Sequence, residues 1–364
     1  MRHFPCHLPA IAAGLALLAP AASAQAAPAA QTTPAAPTTP AAAASGPYHV
    51  RQTAKVGGEG GFDYVYADTD GRRLYVARSG PAPRVSVFNL DTLAPAGEVP
   101  QTGAHGAATD TQTHHGFASS SPVAMWDTKT LALVKTIPVD GRPDGILADS
   151  FNHRVYVFSH SAPNVTVLNA ADGAVVGIID LGGAPEQAVP DGAGHLYIDV
   201  EDKGTVAVVD VKALKVTAQY SLNGKGGGNA GLALDAKNHI LFVACREPSV
   251  MVMLNADTGK YLADLPIGQG CDGAAFNPQT RECFSSQRDG TLTVIKEVTA
   301  TAFALEQTVT TMPGAKTLAL DGKTGKVFLI AAQYGPAPDA PPADGRRARP
   351  PMLPGSFSIL AVGK

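Results

Sequence analysis

The feature that most constrains the fold is a repeat of about 40 residues that runs through most of the chain. An aromatic residue recurs in similar short segments such as "RRLYVAR", "HRVYVFS" and "HILFVAC". The seven aromatic anchors are Tyr75, Phe117, Tyr156, Tyr197, Phe242, Phe284 and Phe328, separated by 42, 39, 41, 45, 42 and 44 residues. Self-similarity at a near-constant period predicts that one structural unit is copied seven times.

Each unit contains four short segments. A small-residue segment such as "GILAD" precedes the aromatic segment, and a β-branched segment such as "NVTVLNA" follows it. After a polar turn such as "ADTG", a fourth segment such as "YLADLPI" completes the unit. Short strands separated by Gly, Asp and Asn turns indicate an all-β protein. Four strands in each period predict a seven-bladed β-propeller of four-stranded blades.

The two ends of the repeat region indicate how the ring closes. The last unit stops after its third strand, "SFSILAV", and the segment "YHVRQTAKV" precedes the first complete unit. Pairing these ends would remove exposed strand edges. We therefore expect the N-terminal strand to complete the last blade. The propeller domain should span residues 47–364, with a Pro-rich insertion at 334–355 in the last blade.

The N-terminal residues predict export. Residues 1–24 combine an early Arg2, a short apolar stretch and the small residues Ala22-Ser23-Ala24, as a cleaved signal peptide does. The apolar stretch is too short to span a bilayer, and we expect no membrane span elsewhere. Residues 25–46 are nearly all Ala, Pro and Thr, which predicts a disordered linker. The mature protein should be periplasmic or secreted, and loss of Arg2 takes its formal net charge from −3 to −4.

Several of these segments resemble a known family. "RRLYVA", "HRVYVFS", "TVAVVDV" and "LPIGQGCDGAAFNP" are similar to the YVTN-repeat, YncE-like family of exported seven-bladed β-propellers. The resemblance covers residues from about 48 to 364. It implies the fold and export, whereas activity has to be argued from the site because one fold serves many functions.

Two positions in the repeat gather polar residues. Twelve residues before the aromatic anchor (eleven in the fourth unit) stand Asp63, His105, Asp144, Glu186, Ala230, Asp272 and Lys316. This position begins the innermost strand, which lines the channel of a propeller, so these side chains should meet at one channel mouth. The second strand is antiparallel to the first and ends at the same mouth. Four residues past the anchor, it carries His160, Glu201, Arg246 and Arg288.

These residues suggest a polar ligand pocket. Arg side chains suit carboxylate or phosphate, so Asp63, Glu201, Arg246, Arg288 and Lys316 are candidate ligand-binding residues. The carboxylates of Asp144, Glu186 and Asp272 are candidate ligands of a divalent cation, Ca²⁺ or Mg²⁺. His105 and His160 are candidate catalytic bases. Two plainer interpretations stay open: Asp before Gly caps turns, and the charges can form ion pairs between neighbouring blades.

Two functions are compatible with this pattern. The first is a binding or scaffold protein that recognises a small molecule, or an envelope or cell-surface component, at the channel mouth. The alternative is a metal-assisted lyase or lactonase acting on a small organic acid or lactone at the same site. We expect no haem, because CxxCH is absent, and no pyrroloquinoline quinone (PQQ), because the chain has one Trp. The Gly-rich "GKGGGNAG" precedes no helix, so no nucleotide is expected. The acidic balance disfavours nucleic acid, and we expect a monomer.

Three cysteines follow the signal peptide. Cys245 ends the second strand of the fifth unit, and Cys271 enters the first strand of the sixth, which places both near the channel mouth. In an oxidising compartment these two could form a disulfide. The alternative is that Cys245, Cys271 and Cys283 are reduced, buried thiols.

Overall fold

The computed structural model describes residues 46–162, 164–336 and 350–364. The predicted signal peptide and all of the predicted linker except Gly46 lie outside the described residues, as do Pro163 and residues 337–349 of the Pro-rich insertion. The described residues form seven four-stranded antiparallel sheets and one short 3-10 helix. The predicted seven-bladed β-propeller is therefore confirmed. No helix among the described residues has the length and hydropathy needed to cross a membrane.

Blades 1 to 6 are each a meander of four consecutive strands. Blade 1 contains β2 (Phe62–Asp68), β3 (Arg73–Arg78), β4 (Arg84–Asn89) and β5 (Pro95–Pro100). Blade 2 contains β6 (Ala104–Asp110), β7 (His115–Ser120), β8 (Val123–Asp127) and β9 (Leu133–Ile137). Blade 3 contains β10 (Pro143–Asp149), β11 (Arg154–Ser159), β12 (Val165–Asn169) and β13 (Val175–Ile179). Blade 4 contains β14 (Pro185–Pro190), β15 (His195–Val200), β16 (Thr205–Asp210) and β17 (Lys215–Ser221), with the 3-10 helix Glu201–Lys203 between β15 and β16.

The remaining blades continue the pattern. Blade 5 contains β18 (Asn229–Asp235), β19 (Ile240–Cys245), β20 (Val250–Asn255) and β21 (Tyr261–Pro266). Blade 6 contains β22 (Cys271–Asn277), β23 (Glu282–Gln287), β24 (Thr291–Thr299) and β25 (Ala302–Thr310). Blade 7 contains β26 (Leu318–Leu320), β27 (Val327–Ala331), β28 (Ser358–Gly363) and, from the other end of the chain, β1 (His49–Lys55).

The first strands of the seven blades surround a central channel. Each of them contacts the first strands of both neighbouring blades, so the circle is closed between β26 and β2. Residues from all seven first strands line a channel cavity of about 390 Å³. Its wall is built largely from small and aliphatic side chains, such as Ala107, Ile146 and Ala274.

The aromatic anchors hold neighbouring blades together. Seven apolar clusters fill the seven spaces between adjacent blades. Each anchor packs in the cluster that its blade shares with the next one, and each is at most 4% exposed. Burying a side chain of this size contributes roughly 1.5–3 kcal/mol. The recurrence of an aromatic residue at this position is therefore explained by packing between blades.

The N-terminal strand β1 pairs with the last strand β28 in an antiparallel register from His49↔Gly363 to Lys55↔Ser358. Tyr48, just before β1, reaches blade 6: its ring packs edge-on against Phe284 at 5.2 Å. The side chain of Gln307 accepts a hydrogen bond from the Tyr48 amide at 3.0 Å and donates one to its carbonyl at 2.8 Å. The first residues of the propeller domain are thereby attached to two blades.

Candidate functional site

The acidic position of the repeat lies in a strand irregularity. In blades 1 to 6 the pairing of the first and second strands shifts register at this position. A bulge bends the strand and re-aims a side chain. The polar side chains therefore turn toward the channel mouth at the start of each first strand. The turn-capping interpretation of these residues is wrong, because they lie within strands, or in blade 7 just before one.

The small residues after the acids have a separate role. A Cβ atom at Gly145, which follows Asp144, would lie 3.3 Å from the backbone carbonyl oxygen of Glu186 in the next blade. Glycine at this position lets neighbouring first strands approach closely. The repeated Asp-Gly pair thus combines a mouth-facing acid with a close contact between blades.

One half of the mouth is a chain of contacts from blade 7 to blade 3. Lys316 Nζ donates a hydrogen bond to Asp63 Oδ1 at 2.9 Å. His105 Nδ1 lies 2.9 Å from Asp63 Oδ2 and 3.1 Å from Asp144 Oδ1. On the other side of Asp144, His160 Nε2 lies 3.5 Å from Oδ2.

The other half returns to blade 7. His160 Nε2 lies 3.8 Å from Glu186 Oε1, and Arg246 Nη2 lies 3.9 Å from the same oxygen. Arg246 also pairs with Asp272, which in turn pairs with Lys316. Carboxylates and basic side chains therefore alternate around a closed circuit to which every blade contributes. We call it the charge ring: Asp63, His105, Asp144, His160, Glu186, Arg246, Asp272 and Lys316.

The remaining predicted residues lie beside the charge ring. Glu201, from the 3-10 helix, forms an ion pair with Arg246. Arg288 lines the same mouth cavity, which has a volume of about 400 Å³. Within the described residues, the exposed Arg288 guanidinium forms no hydrogen bond or ion pair. Among the described residues, it is thus a cation at the cavity without a carboxylate partner.

Burial controls the protonation of the charge ring. Burial raises the pKa of Glu186 to about 9, and the carboxylates of Asp272 and Glu201 add to the shift. Burial also raises the pKa of Asp144. The hydrogen bond with Asp63 raises the pKa of His105 against the opposing effect of burial. Glu186 is therefore a neutral acid at pH 7, and the Asp63 carboxylate stabilises the cationic form of His105.

Two basic residues are held in their charged forms. Burial alone would lower the pKa of Lys316, but the carboxylates of Asp272 and Asp63 outweigh it and raise the pKa. The pKa of Arg246 is raised in the same way, with burial opposed by the carboxylates of Asp272 and Glu201. Both cations are fully engaged with carboxylates, which leaves Arg288 as the cation best placed to meet a ligand.

The carboxylates and histidines form two groups that could hold a metal ion. In the first, ligand atoms of Asp63, His105 and Asp144 lie within 4.8 Å of one another, and in the second, those of Asp144, His160 and Glu186 do. The predicted metal set of Asp144, Glu186 and Asp272 is not assembled as one group. Asp272 is turned toward Arg246 and Lys316, and two cations on one carboxylate oppose metal binding there.

Two residues that sequence reasoning missed close the channel below the charge ring. Tyr64 Oη donates to Glu186 Oε2 at 3.1 Å, which joins blade 1 to blade 4. Gln187 Oε1 accepts hydrogen bonds from the Leu232 and Ala274 amides, both at 2.9 Å, in blades 5 and 6. Both residues stand directly after the acidic position, and blades 2, 3, 5 and 6 have glycine at that place. This departure from the repeat is the sequence signal that could have identified them.

The predicted Cys245–Cys271 disulfide is not formed. Cys245, Cys271 and Cys283 are free, buried thiols. Cys245 packs in the apolar cluster between blades 4 and 5, whereas Cys271 packs in the cluster between blades 5 and 6. The two side chains thus face different interblade spaces, although their strands end near one another. Positions along the sequence did not reveal this difference in direction.

Together, the blades and the charge ring define the class of protein: a seven-bladed β-propeller with a polar site at one channel mouth. Solved structures share the fold. The chain aligns with U3-55K at a TM-score of 0.68 and 13% identity, over 86% of this chain and 99% of that one. It aligns with the RRP9 WD40 repeats at 0.65 and 12%, over 87% and 99%, and with Kuenenia stuttgartiensis hydrazine synthase at 0.63 and 14%, over 74% and 92%.

Identities this low establish the fold alone. No protein-family model and no curated protein sequence matches the chain.

Proposed function

We propose that the protein is an exported binding propeller that holds a small organic anion at the mouth bounded by the charge ring. The observation that carries this proposal is Arg288, a cation that lines the mouth cavity without a partner among the described residues. A guanidinium presents a planar fork of donors that matches a carboxylate or phosphate. A ligand carboxylate would pair with Arg288.

The rest of the cavity suits the polar remainder of such a ligand. Glu186, as a neutral acid, can donate a hydrogen bond, and Asp144 can accept one. Arg246 and Lys316 keep the neighbouring carboxylates neutralised, which reduces the repulsion that an incoming anion would meet. A hydroxy acid therefore fits the site better than a simple alkyl anion.

Export and family membership belong to the same proposal. The features of residues 1–24 and the words "RRLYVA" and "TVAVVDV" support a periplasmic or secreted member of the YVTN-repeat, YncE-like family. The partner would be a free small molecule or an anionic group of an envelope component, and the acidic balance disfavours nucleic acid. N-terminal sequencing of protein recovered from the periplasm or medium would test export, with cleavage after residue 24 as the expected result.

Titration calorimetry tests anion binding. Malate and citrate should bind the purified protein, and Arg288→Ala should weaken binding by about tenfold, because a charge-assisted hydrogen bond is lost. Arg51→Ala, an exposed arginine on β1 at the outer edge of blade 7, is the matched control and should bind as the parent does. Equal binding by Arg288→Ala and the parent would reject the assignment.

The second candidate function, a metal-assisted lyase or lactonase, is favoured by one observation: the grouping of Asp144 with His160 and Glu186. Carboxylate and imidazole donors fit a divalent cation, Ca²⁺ or Mg²⁺ by the predominance of oxygen. Bound there, the cation would supply Lewis-acid polarisation of a substrate carbonyl. His105 binds both neighbouring carboxylates through Nδ1, which leaves Nε2 free to accept or deliver a proton.

The melting temperature in the presence of divalent cations separates the two candidate functions. If the enzyme hypothesis holds, Ca²⁺ or Mg²⁺ should raise the melting temperature, and Asp144→Asn should abolish the increase. Asp172→Asn, in an exposed turn of blade 3, is the matched control. An unchanged melting temperature with either ion would reject the enzyme hypothesis and leave anion binding as the proposed function.

A further inference from the structure

A second cavity lies between blades 4 and 5, at the face opposite the charge ring. It has a volume of about 540 Å³. Its walls include the turns that follow β14, β18 and β20. First strands begin at the channel mouth, so the turns that end β14 and β18 lie at the opposite face. The cavity is therefore separate from the charge ring.

The polar lining of this cavity combines two acids with two histidines. Asp191 and Asp257 line it, each paired with a histidine: His195 Nδ1 lies 2.8 Å from Asp191 Oδ2, and His239 Nδ1 lies 2.8 Å from Asp257 Oδ1. The carboxylates orient the rings through Nδ1, which leaves each Nε2 outside these pairs. No Lys or Arg is among the residues that line the cavity.

The remaining lining is aromatic and apolar. The rings of Tyr197 and Tyr220 border the cavity, together with Val208, Ala218 and Leu234. Tyr220 donates its hydroxyl to the Ala256 carbonyl at 3.0 Å. Tyr197 is only 4% exposed, and within the described part of the chain its hydroxyl has no hydrogen-bond partner. The hydroxyl oxygen is not among the fully enclosed polar atoms of the described residues, so it is accessible from the cavity and can contact a ligand there.

We propose that this cavity binds an organic ammonium cation with an apolar body. The two carboxylates favour a positive charge, and tyrosine rings attract cations through their faces. The apolar wall would hold the hydrocarbon part, and the Tyr197 hydroxyl would contact the polar head. An anionic ligand is disfavoured, because it would face two carboxylates and no Lys or Arg side chain lines the cavity to meet it.

Calorimetry with three matched probes tests the charge requirement. 2-Phenylethylamine, protonated at pH 7.5, should bind the full chain. Its neutral analogue 2-phenylethanol should bind about tenfold more weakly, because one charged hydrogen bond is lost. The anion 3-phenylpropionate is tested on Arg288→Ala, which lacks the guanidinium of the proposed anion site, and should give no heat of binding there. Equal binding of the amine and the alcohol, or binding of the anion to Arg288→Ala that is tighter than that of the amine, would overturn the proposal.

Variants locate the binding. Tyr197→Phe and Asp257→Asn should each weaken 2-phenylethylamine binding by about five- to tenfold. Asp172→Asn changes an exposed acid in a turn of blade 3 and should leave the affinity unchanged. If Asp172→Asn weakens binding as much as Asp257→Asn, the amine is attracted by net charge alone and the site does not exist. Thermal unfolding of each variant would show that Tyr197→Phe remains folded.

Discussion

Single residues show how one repeat position is varied without loss of packing. The residue before the aromatic anchor pairs with the third strand, and in six blades both partners are medium-sized or large, such as Leu74↔Phe88 and Leu241↔Leu254. Blade 2 instead pairs Gly116 with Trp126. A Cβ atom at Gly116 would overlap the Trp126 indole. The indole therefore occupies the volume that two side chains share elsewhere.

This exchange of volume gives a prediction. Gly116→Leu should destabilise the protein by about 3 kcal/mol through overpacking, and Trp126→Leu by about 2–4 kcal/mol through the cavity it leaves. The double variant gives blade 2 the same Leu–Leu pair that blade 5 has, and it should be more stable than either single variant. Urea unfolding measures all three. Additive losses in the double variant would contradict the argument.

A second residue-scale feature is a buried acid pair at the face opposite the charge ring. Asn238 Nδ2 donates to Asp235 Oδ2 at 2.8 Å and to Glu297 Oε1 at 2.7 Å. Burial raises the pKa of Glu297 to about 7, with the Asp235 hydrogen bond and charge adding to the shift. Because the folded pKa lies above the unfolded value near 4.5, the stability due to this group is complete below pH 4.5 and is lost as pH rises through 7.

Glu297→Gln mimics the protonated acid, so its effect should depend on pH. Near pH 5 the variant and the parent should have similar free energies of unfolding. At pH 8.5 the variant should be more stable by roughly 1–3 kcal/mol. Glu247→Gln, an exposed acid in blade 5, should show no such trend. A constant difference between Glu297→Gln and the parent across this pH range would refute the explanation.

At the scale of strands, the repeat predicted four strands in each blade but not the direction of each side chain. Periodicity predicted the first strands and the mouth position of their acids, because equivalent residues of repeated units occupy equivalent places. The bulge that aims Asp144 and Asp272 left no separate signal in the sequence. Cys245 and Cys271 were placed at neighbouring strand ends correctly, yet they face different spaces. Direction depends on strand register, which spacing alone does not define.

The segment before β1 depends on one side chain of another blade. Gln307→Ala would leave the buried Tyr48 amide and carbonyl without these hydrogen bonds. We expect a loss of about 1–3 kcal/mol and faster proteolysis near residue 48. Gln52→Ala removes an exposed glutamine of β1 that bonds one carbonyl, and should cost less than about 1 kcal/mol. Similar losses for the two variants would show that the contact with blade 6 adds nothing.

At the scale of the whole molecule, the charge ring required the complete circle. Its members are spread from Asp63 to Lys316, and the sequence predicted all eight because each stands at one of two repeat positions. Which base contacts which acid could not be predicted. Arg246 reaches Glu186, Glu201 and Asp272 because its side chain is long and the three carboxylates converge. Such convergence follows from ring closure and not from local sequence.

The charge ring also contributes to stability. Lys316→Met would leave Asp63 and Asp272 partly uncompensated, and we expect a loss of about 2–3 kcal/mol, somewhat below the 3–5 kcal/mol typical of fully buried pairs. Lys323→Met breaks an exposed pair with Asp70 and should cost less than about 1 kcal/mol. Chemical denaturation of both variants provides the comparison. Equal effects would mean that the charge ring is no stronger than a surface ion pair.

The pairing of β1 with β28 has a topological consequence. Since His49 lies opposite Gly363, and Arg51 Nε donates to the Lys364 carbonyl at 3.0 Å, the two ends of the propeller are adjacent. A two-residue hairpin turn could join them. The blade that combines the two ends is therefore set only by the point at which the ring is opened. A circular permutant opened in the loop between β9 and β10 would make blade 7 from contiguous sequence, and would leave every mouth residue in place.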